Sequence, residues 1–129
     1  MAKTGNFTAL TAFNNLIFRF VDDLIDTFPE DEDFKVYKRT FTILKSANAK
    51  KMCNLFKVYS YNYREKILDK DESFFIENEY DEIKIANGAE SIGGIIEKLK
   101  LHWKTLENDN KEKIWQYLST MIKLGDMIN

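Results

Sequence analysis

A stripe of large apolar residues from Phe7 to Phe28 constrains this chain more than any other feature. Leu10, Phe13, Ile17, Val21, Leu24 and Phe28 recur at steps of three and four, and Leu16, Phe20 and Ile25 widen the face. That period predicts an amphipathic helix whose broad, aromatic-rich side must be buried. Thr8 is placed to cap its start. Pro29 is placed to end it, because the residue before a proline is pushed out of the α region. Every later segment carries an apolar face of its own, and this longest face is expected to receive them.

After Pro29 the run Glu30-Asp31-Glu32-Asp33 precedes Phe34, Tyr37, Phe41 and Leu44 at helical spacing. Carboxylates suit the positive end of a helix, so a second helix is predicted over about residues 31–47. Asn48 is a candidate cap for a third, with Met52, Leu55, Phe56 and Tyr59 on one face. The pattern falters at Ser60-Tyr61-Asn62, and a short fourth helix carries Tyr63, Ile67 and Leu68. From Asp69 to Gly88 the chain turns acidic and irregular. Phe74, Phe75, Ile83 and Ile85 are its expected anchors, and Asn87-Gly88 its turn.

A fifth helix is predicted from about residue 89 or 90 to 106, on the stripe Ile92, Ile95, Ile96, Leu99, Trp103 and Leu106. Gly93-Gly94 costs it about 1 kcal/mol per Gly relative to Ala. Asp109 followed by Glu112 has the form of a capping box. It would open a last helix carrying Ile114, Trp115, Leu118, Met121, Ile122 and Ile128. The short connection at 107–110 predicts a C-terminal antiparallel helical hairpin. The sum is one all-α domain, a single compact bundle of five to six helices.

Composition agrees. One Pro and five Gly in 129 residues leave few helix breakers. A chain of this length buries roughly two-thirds of its unfolded surface without metals or disulfides. The single Cys excludes an internal disulfide and points to a reducing, intracellular setting. A net charge of −2 gives no overall bias toward nucleic acid or an anionic membrane. Met1 to Gly5 has no apolar signal core, and no run reaches the eighteen or so apolar residues of a membrane span. Abundant Lys, Asn and Ile, which have A/T-rich codons, point to an A/T-rich genome.

The motifs that would carry chemistry are weak. Asp22-Asp23-Leu24-Ile25-Asp26 reads as DDxxD, a pattern that can share a hard cation along one helix face. Enzymes built on it are far larger and carry a second aspartate-rich motif, so a solvated acidic edge is the better reading. Asp69-Lys70-Asp71-Glu72-Ser73 starts like a calcium loop but has Phe74 where Gly is needed and Tyr80 where Glu is needed. Cys53 and His102 would be too few for zinc, and each sits beside an apolar stripe, which argues against a nucleophile pair. No phosphate-binding or nucleophile-elbow motif occurs. The expectation is therefore a protein that is not an enzyme, with no cofactor and no metal.

Charge is segregated instead. Lys45, Lys50, Lys51, Lys57, Arg64 and Lys66 face only Glu65, with Phe56, Tyr59, Tyr61 and Tyr63 interleaved. Lys50, Lys51, Lys57, Tyr61, Arg64 and Lys66 form a candidate interaction surface, able to track phosphates and stack bases if exposed. The competing reading buries Phe56, Tyr59 and Tyr63, with lysines solvating the far side; the exposure of Tyr61 discriminates. Residues 22–33 hold seven acids and no base, and Asp22, Asp23, Asp26, Asp31 and Asp33 form a candidate acidic surface. The two blocks could match within the fold, or between copies or partners.

Two stretches, Phe13-Asn14-Asn15-Leu16 through Asp22-Asp23-Leu24-Ile25-Asp26-Thr27-Phe28-Pro29 and Lys113-Ile114-Trp115-Gln116-Tyr117-Leu118, carry a resemblance. Tyr61-Asn62-Tyr63 and Asp69 to Phe75 extend it. The chain resembles a family of small helical proteins encoded by nucleocytoplasmic large DNA viruses of the mimivirus and phycodnavirus type. The resemblance implies a virus-encoded protein made in an infected eukaryotic cell, in host cytoplasm, virus factory or virion, and brings no catalytic residues. The expected function is that of a helical structural or interaction protein, with a minor virion or capsid-associated component as the favoured form. Its partner would be a protein, whether a second copy, a virion component or a host protein. Nucleic acid comes second, and a membrane is not expected.

Overall fold

The computed structural model describes residues 2–76 and 92–128, in which helices are joined by short turns and no strand occurs among the described residues. Helix α1 spans Ala2–Thr27, α2 Asp33–Ala47 and α3 Lys51–Ser60. A 3-10 turn at Tyr61–Tyr63 leads into α4, Arg64–Leu68, and then α5, Ser73–Ile76. Helix α6 is described over Ile92–His102 and tightens into a 3-10 turn at Trp103–Thr105. The last helix, α7, covers Asn108–Asp126. This is an all-α bundle. Ile83, Ile85 and the Asn87-Gly88 turn lie outside the described residues.

Helix α1 is the central element. Phe13, Ile17, Phe20, Val21 and Leu24 are all essentially inaccessible to solvent. Burying side chains of this size contributes roughly 1.5–3 kcal/mol each relative to exposure. The stripe packs most extensively against α7, then α2, then α3. From α2 come Phe34, Tyr37 and Phe41; from α3, Met52, Cys53 and Phe56; from α7, Ile114, Trp115, Leu118, Met121 and Ile122. Phe74 and Phe75, expected as anchors, are buried against the same core.

Several boundaries differ from the sequence expectation. Helix α1 begins at Ala2, so Thr8 lies inside the helix and does not cap it. The Asp109–Glu112 capping box does not form: α7 starts at Asn108 with no side-chain cap, and Glu112 pairs with Lys70 instead. A cation from a distant segment of the same chain holds the Glu112 carboxylate. As for the expected C-terminal hairpin, the connection after α6 is short, but the principal partner of α7 is α1. The long α1 face offers α7 more apolar surface than the shorter α6 does.

Three turns share one device. Asp31, Asn48 and Asp71 each accept a hydrogen bond on Oδ1 from the backbone N–H two residues on, at 3.1, 3.0 and 3.0 Å. Each such turn opens a helix, namely α2, α3 and α5. This satisfies an N–H that the helix itself cannot pair. Asn48 has an extended backbone (φ −158°, ψ 108°) and closes α2. Its carbonyl accepts from Lys51 at 3.1 Å, but the N-cap of α3 is Lys50, so Asn48 sets the turn and is not the expected cap. Asn48→Ala removes the side-chain bond of that turn and is expected to lower stability by about 1 kcal/mol, read from urea denaturation midpoints.

Candidate interaction surface

The fold divides the basic-aromatic stretch in two. Phe56 is buried and meets Phe13 at 5.6 Å between ring centroids. Tyr59 and Tyr63 are half-buried, 5.4 Å apart, and Tyr63 continues onto Phe74 at 5.1 Å. Burial pushes the Tyr59 hydroxyl well above its ordinary range, and nearby Glu97 adds to the shift. These three rings belong to the core. Tyr61 does not: it is 81% exposed, and among the described residues no other aromatic ring is left so open.

The cations divide likewise. Lys57 lays its stem over Gly125 and donates from Nζ to the Ile128 carbonyl at 2.6 Å. Arg64 makes a two-pronged pair with Asp126, with Nη1 to Oδ1 at 2.8 Å and Nη2 on Oδ2. That pairing raises the Arg64 pKa and lowers that of Asp126. Lys66 reaches the Ser73 hydroxyl at 3.5 Å. These three side chains fasten α3 and α4 to the end of α7 and to α5. Lys50 and Lys51 stay on the exposed surface, where the Asn48 turn sets the start of α3. Of the six expected surface residues, Lys50, Lys51 and Tyr61 are exposed.

Sequence reasoning missed Val58 and Met127, which are 77% and 60% exposed. Val58 precedes Tyr61 by three residues, so the two share one face of the helix. Lys51 and Asn54 continue that face toward the start of α3, and both are exposed. The signal was phase. With Met52, Phe56 and Tyr59 facing the core, Val58 points nearly the opposite way. Beside Tyr61, a crevice of about 100 Å³ runs between Phe56, Ile122 and the Arg64–Asp126 pair.

The acidic surface is largely matched inside the fold. Asp22 pairs with Lys38 of α2 at 2.7 Å, while Asp23 accepts the Tyr117 hydroxyl of α7. The two carboxylates serve different helices, so DDxxD is not a shared cation site. Lys98 of α6 bridges Asp31 and Asp33, each at 3.0 Å, and Asp31 also meets His102 Nε2 at 3.1 Å. Burial alone would raise the Asp31 pKa, but Lys98, His102 and the Asp33 N–H together hold it below its ordinary value. Asp26 is exposed on the same edge of α1.

No three acidic, His or Cys side chains converge to hold a metal ion among the described residues. Cys53 is fully buried, and burial pushes its thiol pKa up. His102 is occupied elsewhere, stacked on Phe28 at 4.3 Å and bonded to Asp31. Among the described residues no helix is long and apolar enough to cross a membrane. Compared with protein-family models, curated proteins and solved structures, the chain matches none of them.

Proposed function

We propose that this chain is a non-enzymatic, virus-encoded interaction protein, a minor virion or capsid-associated component, that docks a protein partner on the outer face of α3. One observation carries the reading: Val58 and Tyr61, three residues apart, are 77% and 81% exposed, and among the described residues no other aromatic ring is as open as Tyr61. An exposed Tyr with an aliphatic neighbour is the kind of anchor that supplies most of the energy of a protein interface. Lys50 and Lys51 lie toward the start of the same helix and favour an acidic rim on the partner. Because most of the acidic block is paired internally, self-association through opposite charge is the weaker form of the idea.

The test uses purified virions of the encoding virus and an antibody to the chain. The protein should be packaged, and Val58→Ser with Tyr61→Ala should abolish packaging while shifting folding stability by no more than about 0.5 kcal/mol, as exposed sites allow. Absence of the wild-type chain from virions would sink the virion reading. Light scattering coupled to size exclusion at low and high salt would show whether the partner is a second copy.

The exposure of Tyr61 also favours a second reading, a nucleic-acid-binding module using Lys50, Lys51 and Tyr61. It is handicapped because Phe56, Tyr59 and Tyr63 are turned inward and Lys57, Arg64 and Lys66 hold the fold together. Salt-sensitive binding of a single-stranded oligonucleotide, lost in Lys50→Glu/Lys51→Glu, would support it; no binding at low salt would remove it.

A further inference from the structure

The most extensive helix pair of the fold, α1 with α7, leaves a groove of about 290 Å³ on its outer side. That volume lies near the lower edge of the roughly 300–1,000 Å³ typical of small-molecule sites. Arg19 stands on the α1 wall and Lys113 on the α7 wall. Both are exposed, and among the described residues neither has a carboxylate within ion-pair distance. Of the nearby acids, Asp22 pairs with Lys38 outside the groove, while Asp23 lines the groove and accepts the Tyr117 hydroxyl there.

The floor is aromatic. Tyr117 is half-buried and stacked on Phe20 at 4.9 Å with the planes 26° apart, so its outer face is held still. Burial and the bond to Asp23 push the Tyr117 pKa up to about 12, with Arg19 close enough to oppose the rise. The ring therefore stays neutral and fixed at ordinary pH. Leu16 adds an aliphatic edge to the same groove.

We propose that this groove binds a small planar organic anion, its ring lying on Tyr117 and Leu16 and its carboxylate or phosphate held between Arg19 and Lys113. Two cations from opposite walls can grip one oxyanion from both sides, with Arg able to do so through two parallel hydrogen bonds. The neutral ring and aliphatic edge supply what a free inorganic anion cannot use. This site is separate from the α3 face, and the two stand or fall independently.

The experiment is a titration of the ¹⁵N-labelled full chain with phenyl phosphate, benzoate and inorganic phosphate, followed by amide shifts. Phenyl phosphate or benzoate should move the Lys113, Gln116 and Arg19 amides saturably, at lower concentration than inorganic phosphate does. Arg19→Gln and Lys113→Gln should each weaken binding roughly tenfold and leave the thermal midpoint unchanged, since both positions are exposed. Tyr117→Leu should weaken the aryl ligands and leave the response to inorganic phosphate alone. Equal response to all three anions, shifts centred elsewhere, or indifference to the two Gln variants would overturn the proposal.

Discussion

The Trp103→Ala variant is expected to lose about 3–5 kcal/mol of stability, the usual cost of removing a large buried aromatic. Trp103 is completely buried. It stacks on Phe75 at 3.9 Å with planes 10° apart and meets Trp115 edge-on at 5.4 Å. Its indole N–H donates to Glu72 at 3.2 Å, and Lys111 lies over the ring at 5.4 Å. Helix α5 has four residues, too few to persist alone, so it depends on this stack. Removing the ring therefore opens a cavity and releases α5, α6 and α7 from one another. Trp103→Phe should cost less, about 1–3 kcal/mol, because a ring remains while the Glu72 bond is lost. Urea unfolding followed by Trp115 fluorescence distinguishes the two variants. A loss below about 1 kcal/mol for Trp103→Ala would mean that this cluster does not hold the second half of the chain.

That cluster shows where the sequence was readable. The stripes of α1 and α7 identified Phe13, Ile17, Val21, Leu118 and Ile122 as core, because long helices with regular periods leave little choice of face. Phe74-Phe75 were recognisable as anchors by composition, yet nothing local said that their partner would be Trp103, since that pairing spans distant segments. The capping box at Asp109 failed for the same reason: Lys70, 42 residues from Glu112, competes for its carboxylate. Charge was legible as blocks but not as pairs. Lys57, Arg64 and Lys66 read as a basic surface, and only the position of the α7 end and of α5 turns them into fasteners. Tyr61 and Val58 emerged from the helix phase once α3 was fixed, which the sequence pattern blurred at Ser60-Tyr61-Asn62.

The cluster around Lys98 makes the other large prediction. Lys98 is 12% exposed at its side chain and Asp31 is 15% exposed, so the pair sits at the edge of the interior, where charges left alone are costly. It joins α6 to the turn between α1 and α2, alongside the stack of His102 on Phe28. Lys98→Met keeps much of the stem volume and leaves Asp31 with His102 and the Asp33 N–H but without its ammonium partner. The expected loss at pH 7 is about 2–4 kcal/mol. Its pH dependence identifies the cause. The Asp31 pKa is held below 3.8, despite burial, by Lys98, His102 and the Asp33 N–H. Its contribution is therefore present above about pH 3.8 and is lost as pH falls through the folded value. The Lys98 pKa, which burial would lower, is raised above 10.5 by the bonds to Asp33 and Asp31. That contribution is intact below pH 10.5 and is lost as pH rises through the folded value. The gap between wild type and Lys98→Met in urea titrations should accordingly be widest near neutrality and narrow on acidification below pH 4. A gap of constant size across that range would show that the loss does not come from the pairing of Lys98 with the Asp31 and Asp33 carboxylates.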